Sequence, residues 1–370
     1  MLNMFAGEVL PITAFIGVFF AFSATCILTS FLNDWLPRDH GREFAHNGKL
    51  SAGKPRGAGI IFISVFCIAA LLFGEMSVEM FIYLVLVFIE MLTGFLDDAA
   101  EVPWGELKKG ILDFLVAAVA ALNYMHFNST YVELATIGVK FYIPPVLFFI
   151  LTIVLVWAAI NVTNCSDGVD GLSGTLTIIT LMTIYVIDQI RGNETQFPYI
   201  ILLFVVCILG YLWYNATPSR LMMGDAGSRA MGIFISIAVL KTGSPFLFLL
   251  VALILILDGG LGLLKVALLR FLKIHIFENT TMPLHDHVRK KIGWSNTQTV
   301  FRFAIIQIVI SIATVYQFGI AYSIVNAIDD CCQHFYDAIY QYVIVNGGWN
   351  CYSDYAGCNC NYGCFCKAYF

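Results

Sequence analysis

Apolar residues in this chain come in long blocks rather than in stripes or alternations. The blocks lie near residues 11–32, 57–74, 80–96, 110–125, 145–160, 172–190, 197–214, 229–241, 245–266 and 303–325, with the fourth and eighth shorter than the rest. Most run to about 16–22 residues, close to the ~20 that a helix needs to cross the hydrocarbon layer. Backbone polar groups find no water there, so only helices and closed barrels can span. A barrel would show segments of about 10 residues with alternating polarity, and this chain shows none of that rhythm. The pattern predicts an all-α polytopic membrane protein of about ten transmembrane helices. The first block is too long for a signal-peptide core and lacks a basic leader and a small-residue cleavage site, so it reads as a span. The expected organisation is one transmembrane domain over residues 1–325, with active-site loops, and a Cys-rich tail over 326–370.

Composition narrows this further. The 370 residues are 59% hydrophobic and only 12% charged, where a soluble domain carries about 25% charge. Disordered chains are rich in charge and poor in aromatics, so disorder is excluded too. The net charge of −5 offers no basic surplus for nucleic acid. Of the 20 Lys and Arg, 16 fall in alternate connections between the blocks. The positive-inside bias places those connections in the cytoplasm and both termini outside it.

Five polar clusters fall in those same connections. Gly94-Phe95-Leu96-Asp97-Asp98 ends the third block. Paired carboxylates at a membrane interface are costly unless they meet a cation or a base. Oxygen ligands suit Mg²⁺, which takes one or two carboxylates beside substrate phosphates and water. Asn161 to Gly174 packs Asn164, Asp167, Gly168, Asp170 and Gly171 into one connection, dense in groups that turn the chain or bind a ligand. Met223-Gly224-Asp225-Ala226-Gly227-Ser228 puts a carboxylate between glycines at a helix entry, where it can cap the helix or meet a metal. Pro283-Leu284-His285-Asp286-His287 precedes Arg289, Lys290 and Lys291; its paired His could ligate zinc only with further ligands, and anion recognition suits the basic loop better. Gly53-Lys54-Pro55-Arg56-Gly57-Ala58-Gly59 lacks the Walker spacing, though its amides and bases can receive an anion or anchor the interface. Together they describe a site at the cytoplasmic face for a phosphate-bearing soluble substrate and a lipid.

The order GFLDD, NxxNxxDGxDGLSG, GDAGS and HxH resembles the polyprenyl-phosphate N-acetylhexosamine-1-phosphate transferases, over roughly residues 10–325. The stretch from Asp39 to Gly59 and the run Met282 to Val288 with Gly293-Trp294-Ser295 make it most similar to the lipid I-forming branch. The resemblance implies that phospho-MurNAc-pentapeptide passes from its UDP carrier to undecaprenyl phosphate in one step, releasing UMP, at a bacterial cytoplasmic membrane. It implies Mg²⁺ as cofactor, with Asp225 and Asp167 as ligands. Asp97, Asp98, Asp225, His285 and His287 take the catalytic positions. Lys54, Lys109, Asn164, Asp167, Gly168, Asp170, Asn215 and Met222 take the substrate-binding ones. The implied partners are UDP-MurNAc-pentapeptide, undecaprenyl phosphate and the bilayer, with a homodimer as the candidate assembly and no nucleic acid.

Four departures from the resembled pattern stand out. Asp286 replaces a middle His, Lys54–Gly59 replaces the commoner TPTMGG, Glu101 replaces a Lys, and Met222 replaces an aromatic. Seven of the 11 Cys lie between Cys331 and Cys366, in a tail without counterpart in the resembled family. Two rivals are carried forward. One is a UDP-GlcNAc transferase to a polyprenyl phosphate. The other is a transporter using the intramembrane acids Glu90, Asp188 and Asp258.

Overall fold

A computed structural model describes residues 11–39, 41, 51–192, 197–277 and 280–346, and every apolar block lies in a helix. The helices are α1 (Pro11–Leu32), α2 (Gly59–Phe73), α3 (Val78–Asp98), α4 (Glu106–Phe127), α5 (Pro145–Cys165), α6 (Leu172–Arg191), α7 (Phe197–Asn215) and α8 (Gly224–Lys241). A ninth span is broken into α9 (Pro245–Val251) and α10 (Leu253–Leu272), which meet at 73°. After the short α11 (Leu284–His287) comes α12 (Asn296–Asn346).

Among the described residues, 7 helices are long and apolar enough to cross a membrane, or 8 with the bent pair taken as one span. The expectation of about ten spans counted two further helices. One is α2, which has only 15 residues; the other is α8, which carries Asp225, Arg229 and Lys241. The protein is thus an all-α integral membrane protein, and each of those two exceptions has a physical cause. Every residue of α8 from Gly224 to Leu240 is buried by protein. It packs against α2, α3, α5 and α6, so its surroundings are side chains rather than lipid, and small residues serve it better than bulky apolar ones. The outer helices do the opposite. Phe15, Phe19, Phe31, Ile305, Val309 and Ile312 stand exposed on α1 and α12, as a lipid-facing surface requires.

Close packing fixes where the polar ends meet. A Cβ on Gly94 of α3 would lie 2.4 Å from the Asp225 carbonyl of α8, so glycine is needed for that crossing. In the core, Phe204 of α7 stacks on Phe234 of α8 at 4.1 Å, and Phe66 of α2 meets Phe204 edge-on at 4.7 Å. The far end is tied by a two-stranded antiparallel hairpin, β1 (Tyr131–Leu134) and β2 (Val139–Tyr142), in register Tyr131↔Tyr142. Lys241–Glu79 at 2.9 Å and Arg191–Glu133 at 2.8 Å close that end.

The fourth block is longer as a helix than as an apolar run, because Lys108 and Lys109 belong to the early turns of α4. The last helix continues to Asn346, through residue 325 where the tail was expected to begin, and includes Cys331 and Cys332. Residues 347–370, with the remaining tail cysteines, lie outside the described residues, as do His40 and Arg42. The four scattered cysteines, Cys26, Cys67, Cys165 and Cys207, are free thiols, and Cys67 and Cys207 are buried as small apolar residues.

Candidate active site

Asp97 and Asp98 close the last turn of α3. Adjacent residues on a helix point about 100° apart at 3.6 residues per turn, so the pair faces two different partners. Asp97 pairs with Lys109 of α4 and accepts from the Trp104 amide at 2.7 Å. Asp98 forms an ion pair with Arg56 at 2.8 Å and accepts from the Ala226 amide at 3.2 Å, reaching the N-terminus of α8 from another helix. Asp225, in the first turn of α8, sits between the two bases. Its Oδ1 is 3.3 Å from Arg56 Nη2 and its Oδ2 is 3.1 Å from Lys109 Nζ. A carboxylate there is also favoured by the helix dipole.

Arg56 therefore joins three segments, because its Nη1 is 3.5 Å from Asp39. Burial alone would lower its pKa, but Asp98, Asp225, Asp39 and Asp167 outweigh burial and hold the guanidinium above its ordinary value. The loop that presents it is pinned by backbone pairing. The Met222 amide donates to the Pro55 carbonyl at 2.8 Å and the Ala58 amide to the Met222 carbonyl at 3.0 Å. Met222 thus enters the site through its backbone, with a half-buried side chain.

The Asn- and Gly-rich connection is part helix and part turn. Asn161 and Asn164 lie on the last turns of α5, and Gly171, at φ +83°, precedes α6. Asn215 is buried at 4% exposure. Its Oδ1 accepts from the Gly171 amide at 2.7 Å and its Nδ2 donates to the Leu221 carbonyl at 2.8 Å. Both ends of this amide thus latch the loop to the turn after α7. Lys54 adds a second tie, donating to Ser219 Oγ at 2.9 Å with Asp170 at 3.9 Å.

His285 closes the site from the opposite side. Its backbone amide and its Nδ1 both meet Asp258, at 2.7 Å and 2.8 Å. Asp258 lies in a π-helical turn, Ile256–Gly260, of the kind that often marks functional positions. The Nε2 of His285 faces Gly168 so closely that a Cβ there would be 2.1 Å away. His287 turns elsewhere, its Nδ1 accepting from the Thr281 amide at 3.2 Å. Asp286, the departure from the His triplet, pairs with Lys290 at 2.9 Å and Arg289 at 3.5 Å. Burial lowers the Arg289 pKa against the pull of Asp286 and Asp170.

A second layer lies one turn deeper, among residues that sequence reasoning left out of the site. Arg229 pairs with Glu90 at 2.7 Å and with Asp113, and Asn161 donates to Asp113 at 3.1 Å. The signal was present in the spacing. Asp225 and Arg229, like Lys109 and Asp113, are four apart, and Glu90 and Asp97 are seven apart, which puts each pair on one helix face. Of the three acids of the transporter reading, Glu90 is paired with Arg229 and Asp258 with His285, while Asp188 is buried on α6.

Around Lys54, Arg56 and Lys109 stand six carboxylates: Asp39, Asp97, Asp98, Asp167, Asp170 and Asp225. Such a surplus suits a hard cation and opposes a bare diphosphate. Among the described residues no three His, Cys, Asp or Glu converge as a metal cage. A Mg²⁺ that completes its shell with phosphates and water needs none. A mainly apolar cavity of about 310 Å³ runs along α5 and α9 from the hairpin end, at Ile143, Phe148 and Phe246, toward Val162 and Ile256.

A bundle of membrane helices with carboxylates and bases gathered at one end defines an integral membrane protein with a polar site at the end of its bundle. The family described as glycosyl transferase family 4 matches residues 80–243, which carry Asp97, Asp98, Lys109, Asp167 and Asp225. A phospho-N-acetylmuramoyl-pentapeptide-transferase of Treponema pallidum (strain Nichols) is 40% identical over 291 residues, covering 74% of this chain and 80% of that protein. A transferase of the same name from a Nitratiruptor species is 26% identical over 343 residues, covering 83% of this chain and 94% of its own. The chain belongs to the phospho-N-acetylmuramoyl-pentapeptide-transferase family within glycosyl transferase family 4.

Proposed function

We propose that this protein transfers phospho-MurNAc-pentapeptide from UDP to undecaprenyl phosphate, giving lipid I and UMP, at the cytoplasmic face of a bacterial cytoplasmic membrane. The observation that carries the proposal is Asp225 held between Arg56 and Lys109, each base also holding one member of the Asp97–Asp98 pair. The positive-inside bias supports that side, since 16 of the 20 basic residues fall in alternate connections of the sequence. In this reading the apolar cavity that reaches Val162 and Ile256 would take part of the polyprenyl chain.

In the proposed reaction an oxygen of the lipid phosphate forms a bond to the sugar-linked phosphorus. The bond from that phosphorus to the bridging oxygen breaks, and UMP leaves with the electron pair. Positioning and charge neutralisation dominate phosphoryl transfer. Lys109 and Arg56 supply positive charge on either side of Asp225. Asp97 and Asp98 orient these bases and, through them, the acceptor phosphate. Bound Mg²⁺, with Asp225 and Asp167 as its proposed ligands, would neutralise the diphosphate and the leaving group. Asp258 fixes the tautomer and direction of His285, whose Nε2 then faces the Gly168 loop for contact with the sugar nucleotide.

The test is to incubate purified protein, Mg²⁺ and undecaprenyl phosphate with UDP-MurNAc-pentapeptide or with UDP-GlcNAc, and to measure UMP. Release from the MurNAc nucleotide alone is expected. Release from UDP-GlcNAc alone would move the protein to the rival transferase reading, and none from either would sink the proposal.

A further inference from the structure

We infer that Arg56 is a resident counter-ion: its guanidinium occupies the cradle between Asp98 and Asp225 and competes with a divalent cation for those carboxylates. The inference rests on the Mg²⁺-dependent reading above and concerns this chain's own residues. Three guanidinium nitrogens each meet a carboxylate from a different segment. Nε is 2.8 Å from Asp98 on α3, Nη2 is 3.3 Å from Asp225 on α8, and Nη1 is 3.5 Å from Asp39 before α2. Lys109 Nζ takes the remaining Asp225 oxygen at 3.1 Å. Both oxygens of Asp225 thereby already meet positive charge, so an arriving cation is repelled by two bases and gains if the Arg56 side chain withdraws.

Arg56 is the base built to yield. Its backbone is anchored, since the Arg56 amide donates to the Pro37 carbonyl at 2.8 Å and Pro55 is paired with Met222. Its long side chain can therefore swing without moving the loop. Its planar fork matches phosphate oxygens bidentately, so the diphosphate of an arriving nucleotide offers it a new partner. Before substrate arrives, the same fork holds three mutually repelling carboxylates together. Positive charge in the cradle then lowers the affinity of the free protein for a second cation.

The experiment uses Mn²⁺ as the probe, titrated by electron paramagnetic resonance into the full-length protein without substrates. Arg56→Gln, which keeps the stem and a donor near the Nε position but removes the charge, is expected to tighten Mn²⁺ binding by about tenfold. Arg38→Gln, at an exposed pair with Asp34 at 3.1 Å, is expected to leave it unchanged. Asp225→Asn is expected to abolish it. Unchanged or weaker binding in Arg56→Gln, with binding still lost in Asp225→Asn, would overturn the Arg56 inference alone. No binding in any form, or binding indifferent to Asp225→Asn, would overturn the metal reading and this inference with it. A second measurement needs no variant at Arg56. Phenylglyoxal labelling of Arg56 in the wild-type protein, read by peptide mass spectrometry, should rise several-fold on adding Mg²⁺ while Arg38 stays constant. An unchanged Arg56 would equally overturn the proposal.

Discussion

Asp97 and Asp98 are neighbours in sequence but answer to different bases, Lys109 and Arg56, and both bases converge on Asp225. Asp225→Asn keeps the shape of the side chain and removes the charge that both bases meet. UMP release should fall by about 10²–10³-fold or more, with size-exclusion behaviour unchanged; near-normal turnover would remove Asp225 from the chemistry. Asp258→Asn tests the other wall. Its carboxylate meets the His285 amide and Nδ1 at 2.7 Å and 2.8 Å. Loosening that ring against Gly168 should lower kcat by about 10–10²-fold with a smaller change in KM. A rate equal to wild type would reduce the pair to packing. At this scale the sequence marked the acids and bases well, because charge in an apolar chain is scarce. The resemblance marked Asn215 as a substrate contact, and the structure shows that both ends of its amide also hold the loop.

At the scale of elements, α8 is the piece on which the site hangs. Its N-terminus carries Asp225, and the next turn carries Arg229, paired with Glu90 of α3 and Asp113 of α4. This layer fixes the rotation of α3 and α4 about α8, and hence the direction of Asp97, Asp98 and Lys109. Arg229→Met alone leaves two buried carboxylates uncompensated and should cost about 3–5 kcal/mol, read as a lowered thermal midpoint in detergent. Adding Glu90→Gln and Asp113→Asn should recover most of that loss; no recovery would argue against the triad as the cause. The apolar block of 229–241 predicted a short lipid-spanning helix. The physical reason for its polar residues is that α8 is buried on all sides, and burial by neighbouring helices is not written in its own sequence.

For the whole molecule, two ends differ in character. One end gathers the connections rich in Lys and Arg with the carboxylate cluster, while the other carries the hairpin Tyr131–Tyr142 and the pairs Glu79–Lys241 and Glu133–Arg191. The proposed orientation puts the first end in the cytoplasm. A cysteine introduced at exposed Ile137, after blocking native thiols, should label from outside intact cells. One at exposed Ile274 should label only after permeabilisation. The reverse result would invert the topology and separate the site from a cytoplasmic nucleotide.

The sequence by itself determined that the chain is an all-α membrane bundle and which charged residues its connections carry; the proposed sidedness rests on those same charges. These follow from local composition, since each span must be apolar along its own length and each charge in lipid must have a use. Only the tertiary structure decided which charges meet. The close approach at Gly94, the bend of 73° between α9 and α10, and the full burial of α8 depend on packing between distant segments. Those contacts set Arg56 between Asp98 and Asp225 and turned Asp258 from a candidate transport acid into the partner of His285.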